Sequence, residues 1–317
     1  MSGQFRPKRL EPGDRIGVVS PSYWLEPDRW TVAQSIFEQR DYELVAGESL
    51  GLREHRYAGT PQQRAADIMA LFRDPSIDAI ICARGGYGVN RVLPLLDFSQ
   101  IRANPKIFVG YSDVTGLLAS FAQRCGLTTF HGPMLSTFAP AVENETALAW
   151  NLEMLESVLS GQDGIRIGSP PQCRARTLRP GTAFGPLWGG NLSLVNERLG
   201  TGAQIDLRGA ILFVEEVGEK VHAFDRMLQH LRASGCLDDI AGLVVGELVE
   251  MDEGETPFGM TLDDVVLDAC DGLDFPIVTN FPCGHGDYQA TLPVSHEVEL
   301  DADAIEPVIR LPISPVT

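Results

Sequence analysis

The first half of the chain alternates short apolar runs with amphipathic stripes. Residues 15–20 (Arg-Ile-Gly-Val-Val-Ser) read as a buried strand. Residues 30–40 read as a helix with Val32, Ile36 and Phe37 inward, and residues 42–45 as a second strand. Thr60-Pro61-Gln62-Gln63 marks a helix start: threonine caps, proline occupies the first turn, and glutamine closes a capping box. That helix runs to about Arg73 on Ala65, Ile68, Leu71 and Phe72, and Asp74-Pro75 stops it. A continuous apolar strand spans 79–83, and a helix follows over 89–96, with Pro94 near its end. A strand at 107–109 leads into a helix over 114–124 with Leu117, Leu118, Phe121 and Ala122 on one stripe and Gly126 as C-cap. Residues 128–130 form another strand. Such alternation predicts an α/β domain, a flavodoxin- or Rossmann-like parallel sheet with helices on both faces.

The pattern then changes. Residues 150–159 are helical, but 161–181 are rich in Gly, Pro, Gln and Arg without period, and read as a linker. Beyond it strands are expected at 182–184, 210–214, 243–246, 277–279, 298–300 and 308–311, with helices at 221–233 and 262–269. The expected organisation is an α/β domain over 1–160, the linker, and a smaller mixed α+β, barrel-like domain over 182–317. A length of 317 residues agrees with about two domains.

Charge narrows the partners. The net charge is −18; residues 1–205 hold 20 acidic and 20 basic side chains, whereas residues 206–317 hold 23 and 5. Nucleic acid and anionic membranes are therefore not expected as partners of the C-terminal part. The six cysteines are scattered with no C-x-x-C pair, which points to reduced, buried thiols. Residues 1–12 carry Arg6, Lys8 and Arg9 but no apolar core of a signal peptide, and no stretch is long enough to span a membrane. The cytoplasm is the expected location.

Chemistry concentrates at the ends of strands. Ser112, in Gly110-Tyr111-Ser112-Asp113, lies between a strand and a helix, where a sharp turn exposes a hydroxyl and free N–H groups can hold a negative oxygen. The plainer alternative is that Ser112 or Asp113 is an N-cap. G-x-S-x-G is incomplete, because Val114 replaces the second glycine. Arg84-Gly85-Gly86-Tyr87-Gly88 also follows a strand, and serves as a phosphate loop, an oxyanion loop or a simple turn; neither dinucleotide nor P-loop spacing is present. Of six histidines, His285 stands out in Pro282-Cys283-Gly284-His285-Gly286-Asp287. Glu215-Glu216 closes an apolar strand, as a held catalytic acid or as a pair of end-of-strand acids. H-E-x-x-H and EF-hand spacing are missing, so no metal is expected.

Together these stretches resemble the LD-carboxypeptidase family of serine peptidases, which includes the microcin C immunity hydrolases. The resemblance runs through Pro12-Gly13-Asp14, Val18-Val19-Ser20-Pro21-Ser22, Ala83-Arg84-Gly85-Gly86-Tyr87-Gly88, Gly110-Tyr111-Ser112-Asp113, Thr129-Phe130-His131-Gly132-Pro133-Met134, Gly189-Gly190-Asn191-Leu192, Phe213-Val214-Glu215-Glu216, Gly284-His285-Gly286 and Leu292-Pro293. It implies a Ser112–Glu215–His285 triad in a site between the two domains, with backbone N–H groups of Gly85, Gly86 and Asp113 as oxyanion donors. It also implies no metal or other cofactor, a homodimer, and release of D-alanine from murein tetrapeptide during cytoplasmic wall recycling. The alternatives are a microcin C-type peptidyl-nucleotide hydrolase and, from another class, a non-catalytic nucleotide- or phosphate-binding protein. Arg84, Tyr87, Arg91 and Asn191 are the candidate substrate-binding residues. Glu216 stands where the family usually has Asp, Ser295 where Gly is common, and Gly246-Glu247-Leu248 departs from a Gly-x-Phe pattern.

Overall fold

The computed structural model describes residues 5–141 and 144–317; of the N-terminal stretch read for a signal, residues 1–4 lie outside them. The chain divides into two compact units: residues 1–162, 290–294 and 314–317 form the first, and residues 163–289 and 295–313 the second. Among the described residues no helix is long and apolar enough to cross a membrane.

The first unit runs β1 (Arg15–Val19), α1 (Pro27–Glu38), β2 (Glu43–Ala46), α2 (Pro61–Arg73), β3 (Ala79–Cys82), α3 (Val89–Val92), α4 (Phe98–Ala103), β4 (Ile107–Gly110), α5 (Thr115–Cys125), β5 (Thr129–His131), α6 (Leu135–Ala141) and α7 (Glu145–Leu159). Its strands pair in parallel in the order β5-β4-β3-β1-β2. Strands β3 and β4 are buried along their whole length, as the continuous apolar runs required. The capping box at Thr60 forms as read, with the Thr60 side chain accepting from Gln63 N–H and Gln63 from Thr60 N–H. Gly126 closes α5 at φ 70°. Phe108 and Phe121 meet edge to face at 4.9 Å, with Phe72 and Phe98 completing a cluster between sheet and helices. The helix expected over 89–96 is one α-turn followed by a 3₁₀ turn over Leu93–Leu95, because Pro94 cannot donate to the ladder.

The second unit begins with β6 (Ile165–Ile167), β7 (Arg176–Arg179), β8 (Thr182–Asn191), α8 (Leu192–Asn196), β9 (Ile211–Val217), α9 (Val221–Ala233), β10 (Gly242–Val249), α10 (Leu262–Ala269) and β11 (Ile277–Phe281); β12 (Leu292–Val294), β13 (Glu297–Asp301) and β14 (Val308–Leu311) follow in the chain. One eight-stranded sheet has the order β6-β14-β13-β8-β9-β10-β11-β7. Its centre, β8 to β11, is parallel, and the outer pairs are antiparallel. The order is linear, with β6 and β7 at its ends, where the sequence pointed to a barrel-like arrangement.

Two readings need correction. Residues 161–181 are not a structureless linker, since β6 and β7 lie there and pair with β14 and β11. Strand β12 was not foreseen; it adds antiparallel to β5 at the edge of the first unit's sheet. An edge tolerates Pro293, whose missing N–H would break a central ladder.

Candidate active site

In the first unit, β1, β3 and β4 lie side by side in parallel, so the loops that follow them share one edge of the sheet. The chain leaves β4 through extended Tyr111 (φ −150°, ψ −171°) and reverses at Ser112 (φ 61°). Left-handed backbone is rare for a residue with a side chain and marks local strain. A 3₁₀ turn over Ser112–Val114 then feeds α5. The reversal brings residue 114 back onto residue 110, and a Cβ on Gly110 would lie 2.7 Å from the Val114 side chain. Glycine is thus required at 110, while Val114 fits where the incomplete motif lacked its second glycine.

Neither Ser112 nor Asp113 acts as a cap, as no side-chain cap bond closes this turn or α5. The carboxylate of Asp113 turns into the protein instead. Its Oδ2 accepts from Ser22 Oγ–H at 2.6 Å and from Val89 N–H at 3.1 Å. Burial raises the Asp113 carboxyl above its ordinary range, and those hydrogen bonds oppose the shift. Arg64, fully buried, donates to Pro21 O at 2.5 Å and Gly88 O at 3.3 Å. Asp113 and Arg64 therefore fasten the loops after β1, β3 and β4 to one another.

The glycine loop lies against the serine. A Cβ on Gly85 would sit 3.0 Å from Ser112 Cβ, and one on Gly86 (φ 128°) only 2.3 Å from the Tyr23 ring. Of the other candidates here, Arg84 pairs with Glu26 at 3.0 Å, Tyr87 is 51% exposed, and Arg91 is exposed. The sequence reading missed Arg64, Ser22 and Tyr23. A signal for the first existed: Arg64 precedes Ile68 by four residues, so a cation sits on the inward stripe of α2.

In the second unit, Glu215 and Glu216 lie near the C-terminal end of the central strand β9. Successive strand residues face opposite sides, so only one of them can reach any given partner. Glu215, fully buried, accepts from His285 Nδ1 at 2.7 Å. Glu216 holds the opposite corner, accepting from Asn191 Nδ2 (2.9 Å), Ser193 N–H (2.9 Å) and Ser193 Oγ–H (2.8 Å). Asn191 is buried, and its Oδ1 caps α8 at Leu194 N–H. With an ionised carboxylate at Nδ1, that nitrogen carries the proton and Nε2 keeps its lone pair. His285 is 18% exposed.

Glycines fit the histidine loop around the acid. Gly284 has φ 111°, and a Cβ there would meet Glu215 Oε2 at 2.6 Å. A Cβ on Gly246 would lie 2.5 Å from Cys283 O. The register of β10 against both neighbours shifts at this level, which bends the strand beneath the loop.

Glu247 follows directly, its N–H donating to Cys283 O at 3.2 Å. Its Oε2 is buried without a hydrogen-bond partner among the described residues. Burial is the main cause that raises this carboxyl; a Cys173 hydrogen bond lowers it and Asp287 raises it further. Burial likewise pushes the Cys173 thiol up to about 12, so Cys173 donates. A raised acid contributes stability below its unfolded pKa and loses it as pH rises through the folded value. Glu247→Gln should therefore be more stable than the wild type in urea unfolding at about pH 8, with the advantage vanishing near about pH 4. Equal stability at both values would refute the burial cost.

Comparison with known proteins places these geometries in a context. Residues 16–132 match the LD-carboxypeptidase N-terminal domain and residues 184–300 its C-terminal domain. A Bacillus subtilis protein named a probable murein peptide carboxypeptidase is 34% identical over 312 residues, covering 98% of this chain and 96% of that one. The microcin C7 self-immunity protein MccF of Escherichia coli is 27% identical over 317 residues, 93% of this chain and 92% of its own. The crystal structure of muramoyltetrapeptide carboxypeptidase from Oxalobacter formigenes superposes with a TM-score of 0.81 at 27% identity, covering 95% of this chain and all of that one.

Proposed function

The chain belongs to the LD-carboxypeptidase family, and on that premise we propose that it is a serine carboxypeptidase that releases the terminal D-alanine of murein tetrapeptide, with Ser112, Glu215 and His285 as its triad. The observation that carries this reading is the buried Glu215 carboxylate at 2.7 Å from His285 Nδ1. It leaves Nε2 as a base, and a serine is what such a base activates. Ser112 supports the reading, as a strained hydroxyl residue at the C-terminal edge of a parallel sheet.

His285 Nε2 takes the proton of Ser112 Oγ as the oxygen attacks the carbonyl before D-alanine. The tetrahedral oxygen becomes negative and is held by backbone N–H groups of Gly85, Gly86 and Asp113. Collapse breaks the C–N bond, and the imidazolium returns its proton to the departing amine. Water, deprotonated by the same nitrogen, then frees the acyl-enzyme. Glu215 stabilises the imidazolium throughout and stays ionised. Arg84 and Arg91, with Tyr87 beside them in the same loop region, are the groups proposed to receive the terminal carboxylate. The proposal extends to a homodimer working in cytoplasmic wall recycling.

The test is D-alanine release from murein tetrapeptide by the purified protein, beside a peptidyl-nucleotide as second substrate. Release from the tetrapeptide is expected. Turnover of the peptidyl-nucleotide alone would move the substrate to the class the MccF relationship brings in, and turnover of neither would contradict the proposal.

A further inference from the structure

The first unit carries a group of arginines around three aromatic rings, and two of them, Arg53 and Arg56, take no part in the proposed chemistry. Arg53 lies over the Trp24 ring at 3.7 Å, Arg56 over Tyr23 at 4.8 Å, and Arg84 over the same tyrosine at 5.9 Å. Tyr23 meets Tyr57 edge to face at 5.9 Å, with Arg64 over Tyr57 at 5.0 Å. Cation–π contacts occur roughly once per 70–80 residues. Four of them here share three adjoining rings.

The segment that carries them is braced. Glu54 and Tyr57 exchange backbone hydrogen bonds at 2.9 Å each, and Trp24 N–H donates to Arg56 O at 3.3 Å. The group also abuts the proposed oxyanion loop, since the Tyr23 ring is what a Cβ on Gly86 would strike.

Arg53 and Arg56 are exposed and form no ion pair among the described residues, in a chain of net charge −18. Near the group, Glu26 pairs with Arg84 and Arg29, Glu54 lies on the same turn, and buried Asp113 acts on Arg64. A guanidinium laid on a ring gives up rotamer freedom in advance and keeps its N–H edge open for a two-pronged bond to a carboxylate. The Trp24 face is already covered at 3.7 Å by Arg53, which argues against a stacked nucleobase as occupant.

The geometry points to Arg53 and Arg56, held on Trp24 and Tyr23, as a subsite for carboxylate groups of an acidic peptide other than its terminal one. This deepens the carboxypeptidase reading and rests on it for the reaction served. Binding is measured separately from catalysis so that the two can fail independently.

The experiment uses the full chain with Ser112→Ala, titrated calorimetrically with murein tetrapeptide and with the same peptide amidated at its internal carboxyls but free at its C-terminus. The amidated peptide should bind at least about tenfold more weakly. Adding Arg53→Gln and Arg56→Gln should abolish the difference, and Arg53→Lys with Arg56→Lys, which keep the charge, should restore part of it. Higher salt should shrink it. Equal affinity for the two peptides, a difference that survives the glutamine pair, or no binding of the acidic peptide would overturn the subsite. Failure of the wild type to release D-alanine would count against the proposed reaction instead.

Discussion

Ser112→Ala should lose D-alanine release by on the order of 10⁴- to 10⁶-fold in kcat, because removing the nucleophile of a triad removes the reaction it organises. The backbone makes the prediction sharper. At φ 61° a side chain at this position costs about 1–2 kcal/mol that glycine does not bear. Ser112→Gly should therefore be as inactive as Ser112→Ala yet more stable by about 1 kcal/mol, read by urea denaturation. Strain at a residue the fold does not need would then be strain kept for function. An active Ser112→Gly protein, or one no more stable than the alanine variant, would remove that inference.

The second large effect concerns the adjacent acids. Glu215→Gln preserves volume and keeps an acceptor near His285 Nδ1, but no longer stabilises an imidazolium or fixes the tautomer. The corresponding change in other triads lowers kcat by about 10⁴-fold, and the same order is expected here with KM little altered. Glu216→Gln is the control. Glu216 faces the other side of β9 and binds Asn191 and Ser193. Losing charge-assisted hydrogen bonds there should cost about 1–3 kcal/mol of stability, with a far smaller effect on kcat. Kinetics and urea unfolding of the two variants separate the roles; a reversal of the two effects would mean that the acids had been assigned the wrong way round.

This pair also shows what the sequence conveyed and what it did not. The resemblance pointed to Glu215 near the end of a buried strand, with a second glutamate, Glu216, beside it where the family usually has Asp. Parity along β9 sets Glu215 against His285 and Glu216 against Asn191 and Ser193, and that parity is visible only once the histidine loop lies over one face. The left-handed φ of Ser112 was similarly silent, for a serine between strand and helix reads first as a cap. Long elements were legible because period and punctuation agree: α9 and α10 start and stop where their stripes do, and α2 carries its own capping box. The short strands β6, β7 and β12 were not. Strand β6 has the burial pattern in-out-in over Ile165–Ile167, too short to stand out among glycines and prolines. Strand β12 is as short, and its partner β5 lies far back in the chain, so no local signal announces it. The buried Asp113 and Arg64 clamp has no motif of its own: Asp113 beside Ser112 reads as a cap, and Arg64 is a single cation on the inward stripe of α2.

The most direct test of the central claim is to treat the protein with a fluorophosphonate, a serine-directed acyl mimic, and map the adduct by mass spectrometry in the wild type, Ser112→Ala and His285→Ala. The account predicts one phosphonyl group on Ser112 in the wild type, none in Ser112→Ala, and labelling slowed by orders of magnitude in His285→Ala. Labelling at another residue, or at Ser112 with the same rate when His285 is gone, would contradict it.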